Sequence, residues 1–156
     1  MKLPNVLPPA PRSSSPFWWF WERFTDFHTA VYKATHGRLG GSAYGVPVVL
    51  IESVGRKSGN RRTHPLLCKE DGDNLVLIAS VGGAPKNPAW YWNLQGQEAQ
   101  VEVGRERSRV RARDAEGEER ERLWAQMVAL YPPDADYQRK TTRRIPVVVL
   151  EPSGRA

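Results

Sequence analysis

A short basic segment between two apolar runs has the residue types to bind an anion. Residues 55–62, which we call the basic turn, hold four cationic side chains and two glycines, and no acidic residue occurs between Glu52 and Glu70. Glycines permit positive φ, so successive amides can point into one concavity, while arginine and lysine add charge. The turn therefore suits a phosphate or a carboxylate, although it lacks the residue order of a P-loop. A solvated hairpin turn explains this segment equally well when it is taken alone.

A second candidate region combines glycines with clustered aromatic side chains. The glycines at 82–83 allow a ligand to approach the backbone. Asn87 with Pro88 is typical of the cap and first position of a helix, which we predict over residues 89–94. Residues 90–92 read Trp-Tyr-Trp and offer flat apolar surface to a ring system. Each aromatic alone is better explained by core packing. The basic turn, the glycines and the aromatic cluster together favour a flat anionic cofactor.

Hydrolytic and metal chemistry find little support in this sequence. The three histidines are far apart, and the single cysteine, Cys68, offers no metal-ligand cluster and is best interpreted as a core residue. Tyr131 and Tyr137 fall in a predicted loop interrupted by proline, where a phenol can hydrogen-bond or protonate an oxygen. Taken alone, the two tyrosines are better interpreted as half-buried ring anchors.

The elements that must position these residues follow from a change of hydrophobic period along the chain. Residues 1–38 are predicted to form an irregular arm and an aromatic amphipathic helix, with Trp18 and Trp19 off its buried stripe. Residues 39–156 are predicted to form one domain with strands joined mainly by hairpins and with helices at its margins. This pattern indicates an antiparallel barrel or sheet of the α+β class. The strands are predicted at 46–54, 63–69, 75–81, 99–103, 108–113 and 145–150, and a longer helix at 116–130.

Composition favours an anionic partner without naming it. The chain has 156 residues, a net charge of +6 and a pI of about 9.8. A nucleic-acid-binding module is the least favoured hypothesis, because the basic residues are dispersed outside the basic turn, and we expect no nucleic-acid partner. No apolar run could cross a bilayer, and prolines interrupt the first residues, so we expect a cytoplasmic protein without a signal peptide.

Several ordered motifs lie between Gly40 and Pro152. They read G-R-K-S-G at 55–59, R-T-x-P-L at 62–66 and A-S-x-G-G-A-P-K-N-P-x-W-Y-x-N-L at 79–94, with further short motifs at 112–114, 118–120, 131–132, 136–138 and 145–147. Together they resemble the deazaflavin-dependent nitroreductase family of actinobacteria. The resemblance implies a split β-barrel of the flavin-reductase and pyridoxamine-phosphate-oxidase type with an N-terminal helix and flanking helices. It also implies coenzyme F420, whose tail carries a phosphate and an oligoglutamate. FMN is the alternative cofactor, because a related barrel can use it.

The resemblance also implies roles for individual residues. The basic turn would hold the cofactor tail. The backbone of residues 78–81, with the side chains around Trp90, Tyr91 and Asn93, would hold the ring. The implied cofactor-binding residues are Arg56, Lys57, Ser58, Arg62, Thr63, His64, Pro65, Leu67, Ile78, Ala79, Ser80, Val81, Trp90, Tyr91 and Asn93. Ser80, Tyr131 and Tyr137 are the implied catalytic residues, which would stabilise charge as a hydride passes to a quinone, an enone or a nitroaromatic.

The chain departs from the family pattern at three positions. Val81 stands where many members carry lysine, which removes a cation near the cofactor. Leu67 stands where tyrosine is usual and Asp134 where another aromatic is usual, so the acceptor pocket is reshaped. These two changes bear most directly on whether nitroaromatics are reduced.

The N-terminal helix acquires a candidate role from the same resemblance. Some members associate with membranes and reduce menaquinone-like quinones, so Trp18 and Trp19 would suit peripheral contact at the inner face of the cell membrane. The charges of this helix balance, however, and a dimer contact or a lid is a comparable interpretation. A deazaflavin-, flavin- or lipid-binding barrel protein without catalysis is the alternative function, and the oligomeric state stays open.

Overall fold

The computed structural model describes Phe27 and residues 29–31, 33–34, 42–43 and 45–155. The described residues between 27 and 34 are helical, whereas the remainder of the predicted arm and helix, including Trp18 and Trp19, lies outside the described residues. Within the described part, no helix has the length and apolarity needed to span a membrane.

Antiparallel strands form the body of the protein. Within the described residues they are β1 (Ser42–Ala43), β2 (Val46–Val54), β3 (Arg61–Leu67), β4 (Lys69–Asp71), β5 (Asn74–Ile78), β6 (Glu98–Val103), β7 (Glu106–Asp114) and β8 (Val147–Arg155). A 3-10 turn at Val81–Gly83 precedes the helices α1 (Ala89–Leu94), α2 (Gly117–Leu130) and α3 (Pro133–Arg139). The predicted strands and both predicted helices of this region are present, with boundaries shifted by a few residues at several ends.

The sheet closes into a barrel through one bent strand. The strand order is β1-β2-β6-β7-β8-β5-β4, and β3 also pairs with β2. Only Cys68 separates β3 from β4, and its backbone N–H donates to the carbonyl of Pro47 on β2 at 2.9 Å. Residues 61–71 therefore run from β2 to β5 and join the two edges of the sheet, as predicted for a barrel.

Helix α1 fills the barrel interior. Trp90, Tyr91 and Leu94 are buried in one apolar cluster with Val49 and Ile51 of β2. The alternate residues of β2, Val48 and Leu50, are buried in a second cluster on the opposite face. Because both faces of β2 are buried, its sequence is an almost unbroken apolar run rather than an alternating one.

Helix α2 covers the outer face of the sheet. Leu123 and Met127 pack against Val76 of β5 and against Val147 and Val149 of β8. The cluster holds the C-terminal end of α2, and with it the start of α3, beside the strand that leads to Ile78.

The loop predicted around Tyr131 and Tyr137 is wrong, because residues 133–139 form helix α3. Pro132 and Pro133 do end α2, but proline also suits the first turn of a helix, since its missing N–H has no partner there. Asp134 and Asp136 lie in that first turn, where negative charge is favoured by the helix dipole. The prolines therefore separate two helices instead of marking a loop.

Candidate functional site

The basic turn is a closed loop that faces solvent. The N–H of Gly55 donates to the carbonyl of Asn60 at 2.7 Å, and the N–H of Gly59 donates to the carbonyl of Gly55 at 2.8 Å. A Cβ on residue 55 would lie 2.5 Å from Ser58 Oγ, so this position requires glycine. Ser58 Oγ in turn accepts the N–H of Asn60 at 3.2 Å, which fixes the hydroxyl inside the loop.

The basic turn docks onto helix α1. The N–H of Arg56 donates to Asn93 Oδ1 at 3.0 Å, and Asn93 itself is buried. The guanidinium of Arg56 lies 5.6 Å from the centre of the Trp92 ring, within cation–π range. The basic turn and α1, which are separated in sequence, are thus joined, and Asn93 binds the backbone of the turn.

Three cations of the turn remain available to a ligand. Arg61 is paired, with its Nη1 2.9 Å from Glu52 Oε1. Across the part of the chain that the structure describes, no carboxylate pairs with Arg56, Lys57 or Arg62, and all three side chains are exposed. Such a donor set fits a ligand that carries several negative charges.

The implied residues of β3 continue directly from the basic turn. Thr63, His64 and Pro65 are half-buried on the strand that pairs with β2. Leu67 packs against Val48 and Leu50 in the cluster on the outer face of β2.

A second concave backbone lies at residues 79–87, which we call the Ser80 loop. Ser80 has right-handed helical angles, whereas Val81 and Gly82 have φ of +45° and +62°. The backbone N–H groups of these three residues have no acceptor among the described residues. A right-handed residue followed by left-handed ones turns successive amides toward one point and favours an anionic or carbonyl oxygen there. Val81 is β-branched at positive φ, a conformation that costs about 1 to 3 kcal/mol.

Arg143 holds the Ser80 loop in place. Its guanidinium donates to the carbonyls of Ala84 at 2.7 Å, Ala79 at 3.1 Å and Ser80 at 2.7 Å. It also donates to Asn87 Oδ1 at 2.7 Å. Burial lowers the pKa of Arg143 from its usual value. The prediction that Asn87 caps α1 is wrong, because Pro88 is the N-cap residue and the Asn87 side chain binds Arg143 instead.

The Ser80 loop also packs tightly against α3. Gly83 has φ of +81°, and a Cβ there would lie 2.6 Å from the carbonyl oxygen of Tyr137. Glycine is therefore required for the close approach, and the loop and helix are held in fixed register.

Two of the three implied catalytic residues, Tyr131 and Tyr137, meet at α3, close in sequence to a buried carboxyl group. The hydroxyls of Tyr131 and Tyr137 lie 3.3 Å apart, and both residues are half-buried. Between them in sequence, Asp134 is only 4 % exposed. Burial raises the pKa of Asp134 to about 7. Sequence reasoning noted Asp134 only as a departure from the family pattern.

The aromatic residues of α1 divide between the core and the surface. Trp90 and Tyr91 lie in the barrel core, and the Tyr91 hydroxyl donates to Asp114 Oδ2 at 2.7 Å. Burial and this bond raise the pKa of Tyr91 to about 12. Trp92, which is absent from the implied set, is 42 % exposed beside Arg56. Ile78 is the last residue of β5, and the N–H of the buried Ala79 donates to the carbonyl of Pro146 at 3.1 Å. The parts played by Trp90 and Tyr91 toward a cofactor stay predictions.

A separate cleft of about 180 Å³ lies between the end of β7 and the start of β8. Its lining includes the carboxylates of Asp114 and Glu116 and the guanidiniums of Arg120 and Arg144. Opposite charges are present in equal number there, so this cleft does not favour an anion as the basic turn does.

Known proteins with similar sequences and structures identify the family. A model of the F420H(2)-dependent quinone reductase family matches residues 24–152. The F420H(2)-dependent quinone reductase Rv1261c of Mycobacterium tuberculosis strain H37Rv is 37% identical over 129 residues, which cover 79% of this chain and 86% of the relative.

Solved structures agree with this assignment. The F420-H2 dependent reductase FDR-A superposes with a TM-score of 0.62 and 43% identity, over 67% of this chain and 94% of that chain. A pyridoxamine 5′-phosphate oxidase-like protein from Listeria innocua shares the fold, with a TM-score of 0.50 and 13% identity over 81% of this chain and 94% of that chain. The predicted split barrel and the deazaflavin-dependent family type are confirmed. The family model that matches is named for quinone reduction. The chain therefore belongs to the F420H(2)-dependent quinone reductase family.

Proposed function

We propose that this protein binds coenzyme F420 and catalyses hydride transfer from the reduced deazaflavin to a quinone-like acceptor. The observation that carries the proposal is the continuity of residues 79–94, which lead from the unpaired amides of the Ser80 loop to Asn93, where the basic turn docks. One segment thus connects a surface suited to a polyanionic tail with a concave backbone suited to a ring carbonyl.

The residues of the basic turn fit the tail. Arg56, Lys57 and Arg62 offer exposed positive charge without a competing carboxylate among the described residues, and a phosphorylated oligoglutamate tail offers negative charge at intervals. The Ser58 hydroxyl faces into the turn and supports its shape.

The ring is assigned to the Ser80 loop and α1. The N–H groups of Ser80, Val81 and Gly82 are available to a carbonyl oxygen, and the exposed Trp92 offers a flat face beside Arg56. When it is bound, the reduced deazaflavin supplies the hydride. The chain's own task is to orient the acceptor, exclude water and donate hydrogen bonds to the oxygen on which charge develops.

The acceptor is assigned to the side of the Ser80 loop that faces α3. The hydroxyls of Ser80, Tyr131 and Tyr137 can donate to a quinone oxygen, and the half-buried phenol rings can pack against a quinone ring. We propose a menaquinone-like acceptor, with enones and nitroaromatics as less favoured ones, since Leu67 and Asp134 replace the usual aromatics. A lipid-soluble acceptor also suits peripheral membrane contact through the N-terminal helix.

The test is a binding titration followed by anaerobic turnover. Oxidised F420 and FMN are titrated separately while the visible spectrum is followed, and the reduced F420 complex is then mixed with menadione, with menaquinone in vesicles or with a nitroaromatic. We expect low-micromolar F420 binding, weaker FMN binding and return of the oxidised spectrum with both quinones. Tighter binding of FMN would overturn the cofactor assignment, and binding without turnover across the panel would favour a carrier.

A further inference from the structure

Arg120, on α2, carries a buried positive charge without an anionic partner. The residue is 7 % exposed, and no carboxylate of the described residues lies within ion-pair distance of it. Its Nε is buried and makes no hydrogen bond in the part of the chain that the structure describes. A guanidinium keeps its charge at any ordinary pH, and an unpaired buried charge is costly. Arg120 is therefore a group whose stability would gain from a bound anion.

The groups closest to Arg120 in sequence are engaged elsewhere. Glu119 and Glu121 pair with other arginines, at 2.8 Å and 2.9 Å. The guanidinium of Arg120 instead lies over the Trp124 ring, 5.4 Å from its centre. A cation–π contact favours the charge but accepts none of the N–H donors, which lie in the plane of the guanidinium. The contact with Trp124 thus leaves these donors available to a ligand.

Arg120 lines the cleft between the end of β7 and the start of β8. The cleft has a volume of about 180 Å³, far above the roughly 10 to 15 Å³ that a cavity needs to admit one water molecule. Arg144 lines the same cleft. Burial, and after it the charge of Arg144, lowers the pKa of Arg120, whereas Glu121 and Asp114 act in the opposite direction. An anion between the two arginines would offset both the desolvation and the repulsion.

The cleft also adjoins the N-terminus of α2. Glu116, the N-cap residue of this helix, lines the cleft and makes no side-chain capping bond. The first N–H groups of a helix have no acceptor within the helix and carry partial positive charge, so they favour an oxyanion. The start of α2 therefore adds backbone donors to the side-chain donors of Arg120.

The carboxylates of the cleft do not neutralise Arg120. Asp114 accepts the Tyr91 hydroxyl at 2.7 Å, and both Asp114 and Glu116 are exposed, so water and salt screen their charges. The formal charges of the cleft balance, but Arg120 is the one buried residue among the four charged residues that line it. Its charge is therefore the least screened of the four.

We propose that this cleft binds the phosphate group of a small ligand, either inorganic phosphate or a phosphate monoester. A tetrahedral oxyanion presents oxygens in several directions, so it can accept hydrogen bonds from Arg120, from Arg144 and from the first amides of α2. The rigid fork of a guanidinium matches such oxygens. The lining of the cleft shares no residue with the basic turn or the Ser80 loop. Phosphate binding in the cleft is therefore independent of coenzyme binding at the proposed active site.

The first test follows Arg120 itself by nuclear magnetic resonance. The Nε–Hε signal of Arg120 is assigned by its loss in Arg120→Lys, and inorganic phosphate is then added at constant ionic strength. We expect the signal to shift and to saturate with a Kd of about 1 mM. Sodium chloride of equal ionic strength should leave the signal in place, because it provides the same screening without an oxyanion. No shift with phosphate, or an equal shift with chloride, would overturn the proposal.

The second test removes the exposed arginine of the cleft. Arg144→Ala should weaken phosphate binding about tenfold, because one charged donor is lost. The matched control is Arg139→Ala, which removes an exposed arginine that pairs with Asp136 and does not line the cleft. Arg56→Ala should also leave the Arg120 titration unchanged, since the basic turn is a separate site. An unchanged Kd in Arg144→Ala would overturn the proposal.

A third measurement requires no signal assignment and identifies the class of ligand. Ligands that bind only the folded state raise the midpoint of urea unfolding, so phosphate and glycerol phosphate should raise it more in the unmodified protein than in Arg144→Ala. A response to both ligands supports a site for a phosphate monoester, and a response to phosphate alone supports a site for the free ion. A larger response to acetate than to phosphate, or equal responses in the two proteins, would overturn the assignment.

Discussion

The basic turn holds its cations in solvent, whereas the Ser80 loop holds its polar groups inside the protein. In the turn, backbone bonds fix the shape, and the charges of Arg56, Lys57 and Arg62 are left unpaired among the described residues. In the loop, the guanidinium of Arg143 satisfies three carbonyls and one side-chain amide. Water and salt compete with interactions at the first region much more than at the second.

Because of this difference, substitutions in the basic turn and in the Ser80 loop should have different effects on binding and stability. Removing one exposed cation should weaken a ligand by a modest, salt-dependent factor and leave the fold intact. Removing a buried hydrogen-bonding group should leave other buried polar groups without a hydrogen bond and so reduce stability as well as function.

The largest expected effect comes from Arg143→Ala. It leaves the carbonyls of Ala79, Ser80 and Ala84 without this donor, so we expect the free energy of unfolding to fall by about 3 to 5 kcal/mol. Urea unfolding measures the change, and Arg144→Ala is the matched control, because Arg144 is exposed and pairs with Glu121 at the surface. Equal losses of stability in Arg143→Ala and Arg144→Ala would contradict the expected difference between buried and exposed polar groups.

An effect of similar size should appear in the pH dependence of stability. The pKa of Asp134 is raised in the folded state, so between pH 4 and 7 the folded protein binds a proton that the unfolded chain has released. The free energy of unfolding should therefore fall as pH rises, by up to about 1.4 kcal/mol per pH unit across this range. Asp134→Asn should flatten this dependence in urea unfolding, and Asp136→Asn should preserve it. A stability that rises from pH 4 to 7 through Asp134 would contradict its burial as a neutral group.

The basic turn should give a moderate effect confined to the cofactor. Arg56→Ala or Lys57→Ala should weaken F420 binding roughly tenfold, with less change in acceptor preference, because we assign these charges to the cofactor tail. The loss should shrink at high salt, as expected for exposed charges. Calorimetric titration at two salt concentrations measures it, and Arg61→Ala is the control, since Arg61 already pairs with Glu52. A shifted acceptor profile with unchanged F420 affinity would assign the turn to another ligand.

The smallest effect is expected at Val81. Glycine adopts positive φ without steric cost, so Val81→Gly should raise the free energy of unfolding by up to about 1 kcal/mol. Val81→Ala, which keeps a Cβ at the same φ, is the matched control in thermal unfolding. A loss of stability in Val81→Gly larger than in Val81→Ala would show that contacts of the valine side chain outweigh its backbone strain.

Local signals in the sequence were enough to predict part of this molecule. β2 was predictable because an apolar β-branched run ends at a glycine turn, and the bounds of α1 because Asn-Pro precedes a short aromatic run. The basic turn was predictable as a candidate anion site from its charge alone.

The remainder depends on contacts between distant residues. Arg143 meets the Ser80 loop across 56 to 64 positions of sequence, and no nearby residue distinguishes it from the exposed Arg144. Asp134 drew attention only through comparison with a family pattern, since burial of one carboxyl group leaves no periodic trace. Helix α3 was not predicted because two adjacent prolines are compatible both with the end of one helix and with the start of the next.

The place of β8 in the barrel bears on how the protein can fold during synthesis. This strand lies between β7 and β5, although it follows both of them in the sequence. Until β8 has left the ribosome, β5 and β7 each expose an unpaired edge, and the bent strand at Cys68 cannot yet close the barrel. The nascent chain should therefore complete its barrel only after β8 has emerged, and it should need protection from edge-to-edge association until then.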